Sequence, residues 1–157
     1  KKQQQSVVEP VQGEGWRLRL YKRILTGLRK LFDEKDIALI LDEVQCGMGR
    51  TGTNYDLFQY DILPDILCLA KGIGAGFPMG AFVANKKFAA AMEPGDHGST
   101  YGGNPMAGQA CRTAFKILEE TKKCLIMFKT LVKYFKLKKL DDFKKIKYSC
   151  IKEKTWF

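Results

Sequence analysis

Lys71 is the residue in this chain whose type and setting carry the sharpest chemistry. It follows the apolar run Asp65 to Ala70 (DILCLA) and precedes a glycine-rich stretch, with Leu69 and Ala70 beside it. A lysine walled by apolar and small residues is expected to lose part of its hydration, and a desolvated amine is neutral often enough to add to a carbonyl and form a Schiff base. Two other charges hold equivalent positions: Asp42 ends the apolar run Ile37 to Asp42 (IALILD), and Glu9 ends Ser6 to Glu9 (SVVE). Open parallel sheets bind ligands just beyond the carboxyl ends of their strands, so three charges gathered there mark a site. Taken singly, each has a plainer role, since a strand-end carboxylate caps the next turn and a strand-end lysine reaches solvent.

A lysine and a carboxylate on neighbouring strand ends meet two needs of pyridoxal phosphate, which bonds to a lysine amine and requires a carboxylate against its ring nitrogen. Asp42 stands 29 residues before Lys71. The phosphate needs donors, and Gly98-Ser99-Thr100-Tyr101-Gly102-Gly103 offers two hydroxyls and backbone amides in a loop. Other motifs are weaker. Gly47-Met48-Gly49-Arg50-Thr51-Gly52 fits G-x-G-x-x-G after a strand, but no helical stripe follows and the acidic residue ends the preceding strand, which excludes a dinucleotide fingerprint. Gly72, Gly74, Gly76 and Gly80 surround Phe77-Pro78 without the Gly-Lys-Ser/Thr ending of a P-loop, and are expected to let the backbone turn tightly beside Lys71. His97 is the one histidine, so no histidine metal cluster can form, and it reads as a hydrogen-bonded loop residue.

The elements that must position these residues are short. The runs Ser6 to Glu9, Ile37 to Asp42, Asp65 to Ala70 and Met79 to Ala84 are near-continuously apolar, as strands buried on both faces of a largely parallel sheet are. Between the first two, Thr26 to Lys35 carries Leu28, Leu31 and Phe32, with Leu25 just before it, on one face of a helix and charges on the other, which makes a βαβ unit. A longer helix is predicted from Pro105, with Ala107, Cys111, Ala114, Phe115 and Leu118 on its buried side.

Composition bounds the rest. A chain of 157 residues, 45% hydrophobic and 28% charged, is one domain's worth of globular sequence, and no apolar run reaches the ~20 residues of a membrane-spanning helix. The polar start KKQQQ lacks the apolar stretch of a signal peptide, and five cysteines without a CxxC pair suit a reducing compartment, so a cytoplasmic location is expected. The absence of an initiator Met points to a piece of something longer. The net charge of +10 resides in the tail: residues 121–157 hold twelve lysines against Asp141, Asp142 and Glu153. Those lysines alternate with Leu, Ile, Phe and Tyr, as on the solvated face of an amphipathic helix, and no nucleic-acid-reading motif accompanies them.

Four long stretches carry a resemblance: Val8-Glu9-Pro10-Val11-Gln12-Gly13-Glu14-Gly15, LILDEVQCGMGRTG from Leu39 to Gly52, PDILCLAKGIGAGFPMGA from Pro64 to Ala81, and PGDHGSTYGGNP from Pro94 to Pro105. In this order and spacing the chain resembles the class III pyridoxal-phosphate aminotransferases of the fold-type I superfamily, most closely those acting on acetylornithine. The resemblance covers residues 8 to about 120 well, with KILEETKK and KKYSCIKE only weakly matching beyond. It implies an α/β fold in which residues 1–120 form part of the large cofactor-binding domain, a mostly parallel sheet with flanking helices. Residues 121–157 would be the helical lead-in to a C-terminal α+β domain.

By that resemblance Lys71 bonds the cofactor and is the catalytic residue, while Asp42 pairs with the pyridine nitrogen. Gln45 bonds the phenolic oxygen, Val44 packs on the ring, and Glu43 counts among the cofactor contacts. Thr100 reaches the phosphate held by the opposite subunit of a homodimer, Ser99 lies next to the substrate, and Glu14 pairs with a substrate-binding arginine. The implied reaction passes an amino group from a donor to 2-oxoglutarate, with no nucleic-acid or membrane partner. After Glu14-Gly15 the stretch 16–24 departs from the family pattern, as do residues 155–157, which marks damaged or misread edges. The family's main phosphate-binding turn, ring-stacking aromatic and substrate arginines have no counterpart here, so the isolated chain is expected to be inactive.

Overall fold

The predicted βαβ unit forms, and its helix is longer than the apolar stripe alone implied. The computed structural model describes residues 4–15 and 18–121. Strand β1 spans Gln4–Val8, helix α1 Lys22–Lys35 and strand β2 Ile37–Asp42. Helix α1 starts four residues before the predicted Thr26 and ends where Asp36 turns left-handed (φ 55°), its amide donating to the Phe32 and Asp33 carbonyls. That reversal feeds the chain directly into β2. Leu25 and Phe32 face inward, whereas Leu31, expected on the same stripe, is exposed because it lies one position off the contact line.

Strands β3 (Ile66–Leu69) and β4 (Ala81–Ala84) complete a sheet of order β1-β2-β3-β4. The first three strands run parallel, with Val8 opposite Leu41 and Asp42 opposite Cys68, and β4 returns antiparallel to β3. Burial on both faces is reached only in β2: Val7 in β1 and Phe82 and Val83 in β4 are exposed, because these are the outer strands of the described sheet. Two helices follow, α2 (Lys86–Ala89) and α3 (Pro105–Thr121). The α3 start is capped by Asn104, whose Oδ1 accepts the Met106 and Ala107 amides at 2.9 and 3.3 Å. Its predicted inner face holds, with Ala107 and Leu118 buried and Cys111, Ala114 and Phe115 half-buried.

The core gathers Leu25 and Phe32 from α1, Leu39 and Leu41 from β2, and Leu57, Tyr60 and Ile62 from the connection to β3. Full burial of each such side chain contributes about 1.5–3 kcal/mol. Polar latches fix the register around it. Asp65 accepts the Leu39 amide and the Arg29 guanidinium through Oδ2, both at 2.8 Å, and the Asn85 amide through Oδ1 at 2.7 Å, so one carboxylate joins α1, β2 and the end of β4. Residues 18–24 are packed into this structure. Arg19 bridges back to Val11, pairs with buried Asp56 at 2.8 Å and reaches the Tyr60 hydroxyl at 3.3 Å. The expected helical lead-in at 121–157 lies outside the described residues beyond Thr121.

Candidate functional site

Strands β2 and β3 are parallel neighbours with Asp42 level with Cys68, so Asp42 ends one strand and Lys71 follows the carboxyl end of the next. Beyond β2 the chain turns through Glu43 to Gly47, and beyond β3 it enters a 3-10 turn at Lys71–Gly74. Lys71 holds a left-handed backbone (φ 48°), as do Met48 (φ 53°) and Ala75 (φ 49°). Such conformations cost about 1–3 kcal/mol in a residue with a Cβ and persist only where the surroundings over-determine them. Their concentration on these two turns is the backbone signature of the site.

The two turns meet through one hydrogen bond: the Lys71 Nζ donates to Gln45 Oε1 at 2.8 Å. Both residues, with Val44, line an open cavity of about 1220 Å³ whose far wall is α3. The α3 stripe that faces it, Met106, Gln109, Ala110, Thr113 and Ile117, was missed by sequence reasoning. Its spacing of three and four is a legible helical signal, eclipsed by the more apolar stripe beside it. Among the described residues the ionised side chains lining the cavity are Lys71 and Arg50, and no carboxylate does.

The placement departs from expectation in four respects. Lys71 is exposed, so the apolar walling inferred from Leu69 and Ala70 does not bury the amine. Asp42 ends the adjacent strand but does not line the cavity; its Oδ1 accepts the Val44 amide at 2.9 Å and, by strand alternation, it shares a face with Cys68. Burial and the Asp42 charge together raise the Cys68 thiol above its ordinary value.

Glu43 is the correction of largest consequence. Its residue is 1% exposed, and its carboxylate accepts the Asp56 amide at 2.8 Å and the Leu57 amide at 2.6 Å. It caps the 3-10 turn Asp56–Gln59 from inside the core and does not line the cavity, because its carboxylate is held by the amides of that turn. Burial, reinforced by the nearby Asp56 charge, raises its carboxyl to about 7 against the pull of the two amides. Fourth, Glu14, Ser99 and Thr100 are exposed and do not line the cavity; Ser99 and Thr100 sit in the turn-rich segment before α3. His97 packs edge-on to Phe82 with ring centroids 6.2 Å apart, and its ring makes no hydrogen bond among the described residues. Among the described residues no His, Cys, Asp and Glu cluster could hold a metal ion.

The arrangement fits pyridoxal phosphate in part of its requirements. An amine is presented at a cavity mouth with an amide acceptor beside it, and a carboxylate on the next strand has an Oδ2 without a hydrogen-bond partner among the described residues.

Known proteins agree. The family described as aminotransferase class-III matches residues 5–153, which carries the likeness through the basic tail that motif reading reached only weakly. The acetylornithine aminotransferase of Methanocaldococcus jannaschii is 46% identical over 94% of this chain and 36% of its own length. That of Clostridium acetobutylicum is 49% identical over 73% of this chain and 29% of its own. Among solved structures, the N-acetylornithine aminotransferase of Stenotrophomonas maltophilia superposes with a TM-score of 0.67 at 39% identity, over 77% of this chain and 30% of its own. An ornithine aminotransferase of Toxoplasma gondii, with partial occupancy of PLP at its active site, reaches a TM-score of 0.79 at 30% identity, over 90% of this chain and 34% of its own. The chain thus spans about a third of the length of the relatives it matches, and its sheet is part of their large domain. On this sequence match and this strand-end lysine, the chain belongs to the class III aminotransferase family.

Proposed function

We propose that this chain is the lysine-bearing part of a pyridoxal-phosphate-dependent aminotransferase that transfers the amino group of N2-acetylornithine to 2-oxoglutarate, giving N-acetylglutamate 5-semialdehyde and glutamate in arginine biosynthesis. The observation that carries the reading is the Lys71–Gln45 hydrogen bond at the end of β3, one strand from Asp42. When bound, pyridoxal phosphate supplies an electron sink for the negative charge that develops at the substrate carbon. Lys71 would hold the cofactor and, once the amino donor had displaced its amine, would accept and return the proton at that carbon. Gln45 holds the amine at the cavity mouth, Val44 forms the adjoining wall, and Asp42 would offer a ring nitrogen its Oδ2, which has no hydrogen-bond partner among the described residues.

Glu14, Ser99 and Thr100, exposed and outside the cavity, suit contacts made across a homodimer interface, with Thr100 serving the partner's phosphate and Ser99 and Glu14 the substrate. Among the described residues no helix is long and apolar enough to cross a membrane, and we place the enzyme in the cytoplasm. The solved ornithine aminotransferases favour a second donor, ornithine itself, over 4-aminobutyrate or succinylornithine. The test takes two steps. Pyridoxal phosphate followed by borohydride should leave a reduced cofactor adduct on the Lys71 peptide that Lys71→Ala lacks, and an adduct spread over surface lysines overturns the site. The full-length enzyme should then release glutamate faster from acetylornithine than from ornithine; the reverse order assigns the second donor.

A further inference from the structure

The amine–amide contact depends on a residue that touches neither Lys71 nor the cavity. Gly13 lies on the turn after β1 and is buried, although its neighbours Gln12 and Glu14 are exposed. A Cβ built on Gly13 would stand 2.5 Å from both Cδ and Oε1 of Gln45 and 2.6 Å from its Nε2, closer than real Cβ atoms approach anything. All three nearest atoms belong to the one amide that accepts from Lys71. The turn cannot readily retreat, because the Gly13 amide donates to the Glu9 carboxylate at 3.1 Å and the flanking chain is tied by Gln12 to Leu18 and Leu20 to Pro10 backbone bonds of 2.9 and 3.0 Å.

We propose that Gly13 is a positioning residue for the reactive lysine: its bare Cα forms the floor on which the Gln45 amide rests, and Glu9 at the end of β1 holds that floor in place. Three parallel strand ends then act on one amine in sequence, Glu9 on Gly13, Gly13 on Gln45, and Gln45 on Lys71. A Cβ at Gly13 forces the Gln45 side chain out of its place, since the backbone is the less yielding partner, and with it goes the acceptor. Gly15, two residues on, is the internal contrast: a Cβ there meets the nearest Gln12 atom at 3.4 Å and presses on nothing in the site. The inference rests on the aminotransferase reading only for why Lys71 must be held; the geometry stands without a cofactor.

Trace acetylation of the cofactor-free chain tests it, with Lys71 labelling read by peptide mass spectrometry against Lys87, whose ion pair with Asp36 is remote from the site. Gly13→Ala and Gln45→Ala should each speed Lys71 labelling by roughly three- to tenfold, as the loss of one hydrogen bond allows. Gly15→Ala should leave it unchanged. In the Gln45→Ala background the added Gly13→Ala should do nothing more, because the atoms it would strike are gone. Where Gly13→Ala alone fails to fold, the double variant, which lacks the three atoms nearest that Cβ, should fold and label like Gln45→Ala. Wild-type labelling in Gly13→Ala, or additive effects in the double variant, overturns the proposal. Because no cofactor is present, either result is independent of whether the chain binds pyridoxal phosphate.

Discussion

A carboxyl with no solvent and two amide donors sets the pH dependence of the element behind the site. Glu43 in the folded chain holds its proton up to about 7, above the 4.5 of the same group in the unfolded chain, with desolvation as the first cause. A raised folded value means that stability is fully present below about 4.5 and is lost as pH rises toward 7, a change on the order of 3 kcal/mol. Urea unfolding at pH 5 and pH 7 should therefore show the chain weakening with rising pH, and Glu43→Gln should flatten that slope. The same substitution turns an amide donor against one of the Asp56 and Leu57 N–H groups, so at pH 5 it should cost about 1–3 kcal/mol. Cys46, fully buried beside this pair, has its thiol raised well above the ordinary range by burial first and then by the Glu43 and Asp56 charges. It should resist iodoacetamide in the folded chain, and rapid alkylation would show that the core around it is open.

At the level of elements, strand β2 carries the largest share of the packing, with Leu39 and Leu41 fully buried against α1. Leu41→Ala leaves a void between sheet and helix and should cost about 2–5 kcal/mol by denaturant titration. The Asp65 latch acts on orientation. Asp65→Ala strands the Leu39 amide and half of the Arg29 guanidinium, which keeps its pair with Asp33 at 2.7 Å, and should cost about 1–3 kcal/mol. Its effect on Lys71 labelling should be small, since Asp65 lies at the amino end of β3 and Lys71 beyond the other.

For the whole molecule, family membership does not by itself predict turnover. Transamination needs the bond to be broken held in register with the cofactor, and misplacement by ~1 Å costs about 100-fold in rate. The chain spans about a third of its relatives' length, and among its described residues only Lys71 and Arg50 bring an ionised side chain to the cavity. The chain by itself should release no measurable glutamate from acetylornithine and 2-oxoglutarate, even where borohydride traps cofactor on Lys71. Turnover abolished by Lys71→Ala would reverse this. The exposed outer strands, with Val7, Phe82 and Val83, should make it self-associate, visible as concentration-dependent mass by light scattering. The basic tail should hold nucleic acid only weakly, with an affinity that falls steeply with salt through counterion release.

The strand ends were legible in the sequence because near-continuous apolar runs stop at Asp42 and just before Lys71, and the motifs around them are long enough to mark one family. Local pattern likewise carried the inner face of α3 and the existence of α1. Three features were decided only by the assembled chain. Glu43 sits between two site residues in sequence, yet its carboxylate turns into the core, because what it bonds is a turn thirteen residues on that no local period announces. The exposure of Lys71 depends on what covers it, which adjacent residues do not specify. And Gly13 lies against Gln45, 32 positions later in the chain, because the parallel crossover brings β1 beside β2 and leaves no room there for a Cβ.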